Sequence, residues 1–480
     1  MKVNPNIFRG YDLRGLVGKD LSPELAYHLG KAHGSLLKEQ GQTKAIVGYD
    51  CRQTSPKYAQ QVMKGLAEVG LGTIDIGRQM VGTFYWSQYH FKVPGGIFVT
   101  ASHNPPEFNG FKFANGFSET LVADGMQEVR RRVEKEDYVK VDKIGKIERQ
   151  NPLENYYKDL LNRVKVDKKL KIVVDPSHMT AGVIIPELLR RAGCEVIEYN
   201  CNVDSSFPLG VADPTETHIM QRLGKEVVES GADLGFTYDA DGDRVGIANE
   251  KGQPVFNDVL LALFATDVLK DHPGSKIMFN LLCSNVVPET ITAHGGQPFM
   301  WRTGHSFLKK KNQEVKAAFI GELSGHFFFS EDFFNHDDGA YTTLRLVQAV
   351  SRSSKSLSQM IADLPQYKSS PQINVYCDDT KKVPLIEKLA KQLRSDHPEA
   401  DVIDDERAGD GLRMNMKDSM MVVRYSQNGP YIVIKFESKT DEGYEKLRQY
   451  ILETLKEYSE LEWDPKNKIN VNITALSRNT

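Results

Sequence analysis

The feature that most constrains this chain is a pattern met three times: a β-favouring apolar run, a stretch of helical period closed by glycine, and a second β run. Ala45-Ile46-Val47-Gly48-Tyr49-Asp50 opens the first unit, residues 56–69 carry the helical period, Gly70 stops it, and Gly72-Thr73-Ile74-Asp75-Ile76 returns. Lys171-Ile172-Val173-Val174-Asp175-Pro176 opens the second, helical over 184–192, stopped by Gly193 and returning at Glu195-Val196-Ile197. Lys276-Ile277-Met278-Phe279-Asn280 opens the third, helical over 286–294 and stopped at Gly295-Gly296. Each unit is the signature of a βαβ element in an α/β layer. Three of them predict three related α/β domains on a duplicated scaffold.

A chain of 480 residues is too long for one core and is divided on the prior of roughly 100–200 residues per domain. Charge-balanced sequence from Arg130 to Gln150, the turn signal Glu250-Lys251-Gly252-Gln253-Pro254, and the serine-rich run at 351–358 followed by Pro365 and Pro371 mark the exits. They place domains at 1–150, 151–252, 253–368 and 369–480. The last reads differently: strand near Ile373, helix over 385–393, short strands around Leu412 and Val422, strand over 432–436 and a long helix over 440–458, an α+β order. The tail segment Val471-Asn472-Ile473-Thr474 reads as one further edge strand.

Charged residues make up 26% of the chain but the net charge is −3, which excludes a global basic field for nucleic acid or anionic membrane. Five cysteines without a C-x-x-C pair predict reduced thiols and a cytoplasmic setting. No apolar run reaches the roughly 18 residues of a membrane span, and the sequence shows no address, so a soluble protein is expected.

Two loops carry chemistry. Ser102-His103-Asn104-Pro105-Pro106 follows the β run Gly96-Ile97-Phe98-Val99-Thr100, which places a serine hydroxyl where a strand ends and a rigid loop begins. Serine there is ordinarily a cap or loop residue. His103 beside it, and Lys112 beyond a turn at Asn109-Gly110, make it a candidate nucleophile with a cation nearby for a transferring phosphoryl group. Asp239, Asp241 and Asp243 alternate with Ala240 and Gly242, a set of hard oxygen ligands suited to Mg²⁺ or Ca²⁺. An EF-hand is excluded, because Arg244 stands where the loop glycine belongs and the flanks read as strands. A hairpin with three carboxylates remains; Mg²⁺ is the expected ion, a phosphorylated Ser102 would add an oxygen to it, and Arg244 offers a fixed donor to a phosphoryl oxygen. Two further loops suit binding. Glu322 and Ser324 lie between Gly321 and Gly325, a layout for vicinal hydroxyls; Arg424, Ser426, Gln427, Asn428 and Gly429 give the inventory of a phosphate nest.

With these loops in order, the chain resembles the α-D-phosphohexomutases, in their phosphomannomutase/phosphoglucomutase group, from Phe8-Arg9-Gly10-Tyr11-Asp12-Leu13-Arg14-Gly15 to the Arg424 loop. The resemblance implies α/β architecture with four domains around a central cleft, three related and a distinct α+β fourth. It implies reversible exchange of hexose 1-phosphate and hexose 6-phosphate through phosphorylated Ser102 and a hexose 1,6-bisphosphate, with Mg²⁺ on Asp239, Asp241 and Asp243. It adds Tyr11, Arg14 and His305 to the site; His103, Lys112 and His305 stand as candidates for proton transfer. Two departures bear on the sugar side. Asn280-Leu281-Leu282 replaces the group's usual Asp-Val-Lys, and Ser426-Gln427-Asn428 replaces Ser-Asn-Thr. The alternatives are a phosphoglucosamine mutase, a metal-dependent phosphatase or bisphosphate synthase, and a sugar-phosphate-binding protein without turnover.

Overall fold

Ala45, Ile46 and Val47 are fully buried, Ala45 and Val47 in one apolar cluster and Ile46 in another. A strand buried on both faces must be covered by helices on both sides, and that requirement organises the first α/β layer. The computed structural model describes residues 1–122, 124–427 and 429–477. These fall into two compact units, Met1–Leu260 with His305–Ile361, and Leu261–Gly304 with Ala362–Thr480.

In the first unit, β1 (Leu13–Leu16), β2 (Lys44–Tyr49), β3 (Gly72–Arg78), β4 (Gly96–Val99), β5 (Phe108–Gly116), β6 (Glu119–Thr120) and β7 (Ile147–Arg149) form a sheet ordered β1-β5-β4-β2-β3-β7, with β6 beside β5. β4, β2, β3 and β7 run parallel, and β5 and β1 add antiparallel strands at one side. The helix Pro23–Glu39 starts where the Ser22 hydroxyl accepts the Leu25 N–H and Pro23 takes the first turn. A second sheet is ordered β12-β11-β10-β8-β9, from β8 (Lys171–Val174), β9 (Glu195–Glu198), β10 (Leu234–Tyr238), β11 (Val245–Asn249) and β12 (Pro254–Val255). Here too parallel strands β9, β8 and β10 are followed by an antiparallel partner, β11. The Ser102 loop joins β4 to β5 and the aspartate loop joins β10 to β11. The two repeats therefore carry their chemistry at the same place, beyond the carboxyl end of the last parallel strand.

The second unit contains the parallel pair β13 (Lys276–Asn280) and β14 (Gln297–Trp301), the helix Val286–Ala293 and an antiparallel sheet. That sheet is built from β17 (Lys368–Ser369), β18 (Ile373–Cys377), β19 (Asp401–Ile403), β20 (Gly411–Asn415), β21 (Ser419–Tyr425), β22 (Tyr431–Ser438) and β23 (Leu461–Glu462). The helices Lys382–Asp396 and Asp441–Lys456 cover it through Leu385, Leu389, Leu447 and Ile451. Two strands of the third repeat, β15 (Phe319–Gly321) and β16 (Phe327–Phe328), form an antiparallel pair in the first unit. The fold class is thus α/β, with three related α/β domains and a C-terminal α+β domain.

Three local expectations are corrected. Asn109-Gly110 is not a turn but lies inside β5, with the Asn109 amide bonded to Thr54 and Ser55 hydroxyls. The tail makes one bridge, Val471 to Asn374, and then a short 3-10 turn rather than a strand. Arg132, in the charge-balanced stretch that marks the first domain's exit, is not in a linker but buried on the helix Asp124–Lys135, where it forks onto Glu39. All five cysteines are free and buried, and among the described residues no helix is long and apolar enough to cross a membrane.

His33 makes a testable contribution to stability. It is fully buried on the helix Pro23–Glu39, its Nε2–H donates to the Ala114 carbonyl at 2.9 Å, and burial pushes its pKa from 6.5 down to about 4. The unfolded chain takes up this proton more readily than the folded one, so stability falls as the pH drops below about 6.5 and the loss is complete below about 4. It amounts to about 3 kcal/mol. Urea unfolding of a His33→Gln variant should decline less steeply across that window than the parental protein; equal slopes would show that His33 stays charged in the fold.

Candidate active site

Ser102 occupies the left-handed region, with φ 48°. Its N–H donates to Thr100 Oγ1 at 2.8 Å, and Thr100 Oγ1 donates in turn to Asp241 Oδ2 at 3.0 Å, so one side chain ties the serine loop to the aspartate loop. Ser102 is only 2% exposed, so the hydroxyl lies inside the site rather than on an open surface. Its Oγ donates to Asp239 Oδ2 at 2.7 Å and lies 3.1 Å from His103 Nδ1. With the hydroxyl proton directed at Asp239, the histidine contact assigns an Nδ1–H to His103. Burial, followed by Arg244 and Arg14, holds His103 well below its usual pKa and therefore neutral.

The aspartate loop turns at Gly242, whose φ is 73° and where a Cβ would lie 2.6 Å from the Met80 side chain. The positive φ is what calls for glycine there. Asp239, Asp241 and Asp243 are buried with ligand atoms within 4.8 Å of one another. Lys112, buried on β5, donates to Asp241 Oδ2 at 2.9 Å and Asp243 Oδ2 at 2.6 Å. Burial alone would lower the Lys112 pKa, but the two carboxylates hold it well above the ordinary lysine range. Burial, then Asp241 and Asp243, push Asp239 well above the carboxylate range. Three carboxylates facing one ammonium call for a divalent cation. Asp241 Oδ1 and Asp243 Oδ1 are buried without a hydrogen-bond donor among the described residues. Two orphaned hard oxygens beside Asp239 fit a magnesium-like ion.

Around this centre, Arg14 donates to Asp12 Oδ2 at 2.8 Å, Asn104 Oδ1 at 2.8 Å and the Ala101 carbonyl at 3.2 Å, which braces the serine loop. Tyr11 packs its ring edge-on to His305 at 5.1 Å. His305 is held neutral by burial, which outweighs the nearby Asp337, and its ring stacks on His326 at 4.9 Å. Arg244 Nε donates to His326 Nε2 at 3.2 Å.

Glu322 and Ser324 lie between β15 and β16. Glu322 is buried, and the turn closes through Glu322 N–H to the His326 carbonyl and Gly325 N–H to the Glu322 carbonyl, both 3.0 Å. Gly325 has φ 94°, and a Cβ there would meet the Val245 carbonyl at 2.9 Å, so this turn sits against the strand leaving the aspartate loop. The structure therefore brings Tyr11, Arg14, Ser102, His103, Lys112, the three aspartates, Arg244, His305, Glu322 and Ser324 into one unit.

The Arg424 loop belongs to the other unit. Arg424 is the penultimate residue of β21, and its guanidinium forks onto both carboxylate oxygens of Asp410, one at 2.7 Å. Gln427 Nε2 donates to the same carboxylate at 3.1 Å. Lys382 Nζ holds the loop through the carbonyls of Ser426 at 2.6 Å and Gly429 at 3.0 Å. Asn428 lies outside the described residues. In the same unit Leu282, standing where a lysine was expected, is buried. The adjoining backbone is fixed by Arg413, which donates to the Leu281 carbonyl at 2.8 Å, the Cys283 carbonyl at 2.5 Å and Asn285 Oδ1 at 2.6 Å.

The sequence reading missed His326 and Asp337. His326 Nδ1 lies 2.7 Å from Asp337 Oδ2, and Lys309 lies 3.0 Å from the other carboxylate oxygen. Burial would raise the Asp337 pKa, but the Lys309 ammonium and the hydrogen bond from His326 hold it well below the carboxylate range. An ionised carboxylate can only accept, so His326 carries its proton on Nδ1 and offers Nε2 as a base. The signal in the sequence was His326 closing the Gly321 to Gly325 loop and the run His336-Asp337-Asp338 nearby.

A buried serine hydroxyl on a carboxylate cage with spare oxygens, ringed by lysine, arginine and an Asp–His pair, is an arrangement suited to metal-assisted phosphoryl transfer. Family profiles agree: "Phosphoglucomutase/phosphomannomutase, alpha/beta/alpha" domain I matches residues 5–140, domain II 154–252 and domain III 257–367. A phosphomannomutase/phosphoglucomutase of Pseudomonas putida is 36% identical over 443 residues, 92% of this chain and 94% of that one. A phosphoglucomutase of Neisseria meningitidis is 31% identical over 459 residues, 95% and 98%. The crystal structure of a phosphoglucomutase/phosphomannomutase family protein from Burkholderia thailandensis superposes with a TM-score of 0.88 at 30% identity, covering 95% of this chain and 98% of that one. The chain belongs to the α-D-phosphohexomutase family, in its phosphomannomutase/phosphoglucomutase group, and is a phosphotransferring mutase.

Proposed function

We propose that this mutase interconverts hexose 1-phosphate and hexose 6-phosphate, of mannose, glucose or both, through phosphorylated Ser102 and a hexose 1,6-bisphosphate. The observation that carries the reading is the Ser102 hydroxyl on Asp239, 2.7 Å away, beside two aspartates with orphaned oxygens. Mg²⁺, when held by Asp239, Asp241, Asp243 and the phosphorylated serine, supplies neutralisation of charge on the transferring group. Lys112, kept charged between Asp241 and Asp243, adds a cation to the same clamp and is a poor base for that reason. Arg14 holds the serine loop, and Arg244 is placed for a phosphoryl oxygen.

The attacking sugar hydroxyl must lose a proton, and His326, oriented by Asp337, has the free basic nitrogen for it once the Arg244 contact gives way to substrate. His103 and His305, both neutral, serve as proton relays. Glu322 and Ser324 bind sugar hydroxyls. Arg424, Ser426, Gln427, Asn428 and Gly429 bind the phosphate that is not reacting, which must come from either end of the sugar as the bisphosphate turns over. Domain limits at 1–150, 151–252, 253–368 and 369–480 are supported by the grouping of strands into sheets, apart from β12, which joins the second sheet from just beyond 252, and β17, which straddles 368 and 369. Five buried free cysteines support a cytoplasmic setting.

A panel of mannose, glucose and glucosamine 1-phosphates, assayed with Mg²⁺ and a trace of hexose 1,6-bisphosphate, tests the function. The 6-phosphates of mannose or glucose should accumulate with little free phosphate. Release of inorganic phosphate without isomerisation would make the protein a phosphatase, and turnover of glucosamine 1-phosphate alone would make it a phosphoglucosamine mutase.

A further inference from the structure

Arg52 lies three residues beyond β2 and belongs to none of the motifs described above. It is 2% exposed, and its guanidinium faces backbone rather than substrate-binding side chains. Nη2 donates to the carbonyls of Ser102 at 2.6 Å and Asn104 at 2.5 Å; Nη1 donates to those of Pro105 at 2.8 Å and Phe108 at 3.0 Å. Nε is ion-paired with Asp50 at 3.2 Å, and the Phe207 ring lies 5.0 Å from the guanidinium carbon. Asp50 is itself fixed, accepting the Ser55 hydroxyl at 2.6 Å and the Arg52 N–H at 3.0 Å.

We infer that Arg52 is a positioning residue for the phosphoacceptor loop. Four carbonyls between residues 102 and 108 converge on one planar fork, so a single rigid cation fixes the path of the whole segment. One of them is the carbonyl of Ser102 itself, the residue held at φ 48°, a conformation that persists only where surrounding structure imposes it. Turning these carbonyl dipoles toward Arg52 also keeps their negative ends away from the phosphoryl group the serine would carry. Arg52 therefore acts through the backbone on where the Ser102 oxygen stands, and touches neither sugar nor phosphate.

This rests on Ser102 being the phosphoacceptor. Arg52→Lys keeps a charge opposite Asp50 but loses the fork, and Arg52→Ala removes the cation. Steady-state kinetics with glucose 1-phosphate and mannose 1-phosphate are measured beside single-turnover phosphorylation of the dephosphorylated protein by glucose 1,6-bisphosphate, followed by intact mass. In Arg52→Lys, kcat and the transfer rate should fall at least about tenfold while KM stays within about twofold, because the groups that bind substrate are untouched. In Arg52→Ala, added guanidinium ion should recover part of the transfer rate that sodium at equal ionic strength does not. A parental transfer rate in Arg52→Lys, a loss expressed in KM alone, or equal effects of guanidinium and sodium would overturn the assignment. Phosphopeptide mapping of the parental protein separates the two readings. Phosphate on another residue removes the proposed mechanism, whereas phosphate on Ser102 with an unaffected Arg52→Lys removes the role of Arg52 alone.

Discussion

Replacing Ser102 by alanine is expected to lower kcat by at least about 10³-fold with the fold retained, since on the proposed mechanism the variant lacks the atom that would accept and return the phosphoryl group. Alanine and serine carry the same Cβ, so the left-handed backbone at 102 gains no new strain. The cost is confined to the hydroxyl's contacts with Asp239 and His103, about 1–2 kcal/mol. Asp239 Oδ1 keeps the Gly242 and Arg244 backbone donors, at 3.1 and 3.3 Å, so the carboxylate is not released. Thermal unfolding should therefore shift by only a few degrees while turnover collapses. After incubation with glucose 1,6-bisphosphate, the parental protein should gain one phosphate by intact mass and the variant none. A variant that keeps parental phosphate incorporation would place the acceptor elsewhere.

The fold was legible wherever local pattern and tertiary demand coincide. The three strand–helix–strand units read correctly because strands such as β2 are apolar on both faces and each helix ends on a glycine whose conformation only glycine adopts cheaply. Asn109-Gly110 misread as a turn because the pair has turn chemistry in isolation, whereas its register in β5 is set by pairing with β1, Gly110 opposite Arg14. The tail misread for the opposite reason: alternating apolar residues suggested a strand, but only Val471 found a partner.

The site divides in the same way. Ser102 and the aspartates are local motifs, and their loops announce themselves. The pairing of His326 with Asp337 and the fork of Arg424 onto Asp410 join neighbouring turns, and the carbonyls gathered by Arg52 lie on a loop far along the chain; in each case the contact is made by the fold and not by a motif spacing. Asp410, in Gly409-Asp410-Gly411, belongs to no motif, and its part in the loop comes from the Arg424 guanidinium against it.

Removing divalent metal, or replacing Asp241 by asparagine, is expected to lower turnover by at least about 10²-fold, and the two treatments should act through the same deficit. Asp241 holds two positions at once. Its Oδ2 accepts from Thr100 and Lys112, and its Oδ1 is one of the orphaned oxygens left for the ion. Asparagine keeps the shape and an acceptor for Thr100, and Lys112 retains Asp243 at 2.6 Å, so the change falls mainly on the cation and on the charge facing the phosphoryl group. Binding provides a readout independent of catalysis. An ion that binds only the folded state stabilises it by about 2.7 kcal/mol at a hundredfold excess over its dissociation constant, so Mg²⁺ should raise the parental unfolding temperature and leave Asp241→Asn nearly unmoved. Chelation should abolish parental turnover and added Mg²⁺ should restore it. Undiminished turnover in excess chelator, or an equal Mg²⁺ shift in both proteins, would mean that the three carboxylates are balanced by Lys112 and Arg244 without a metal, and the electrostatic account of the site would have to be rebuilt on those two cations.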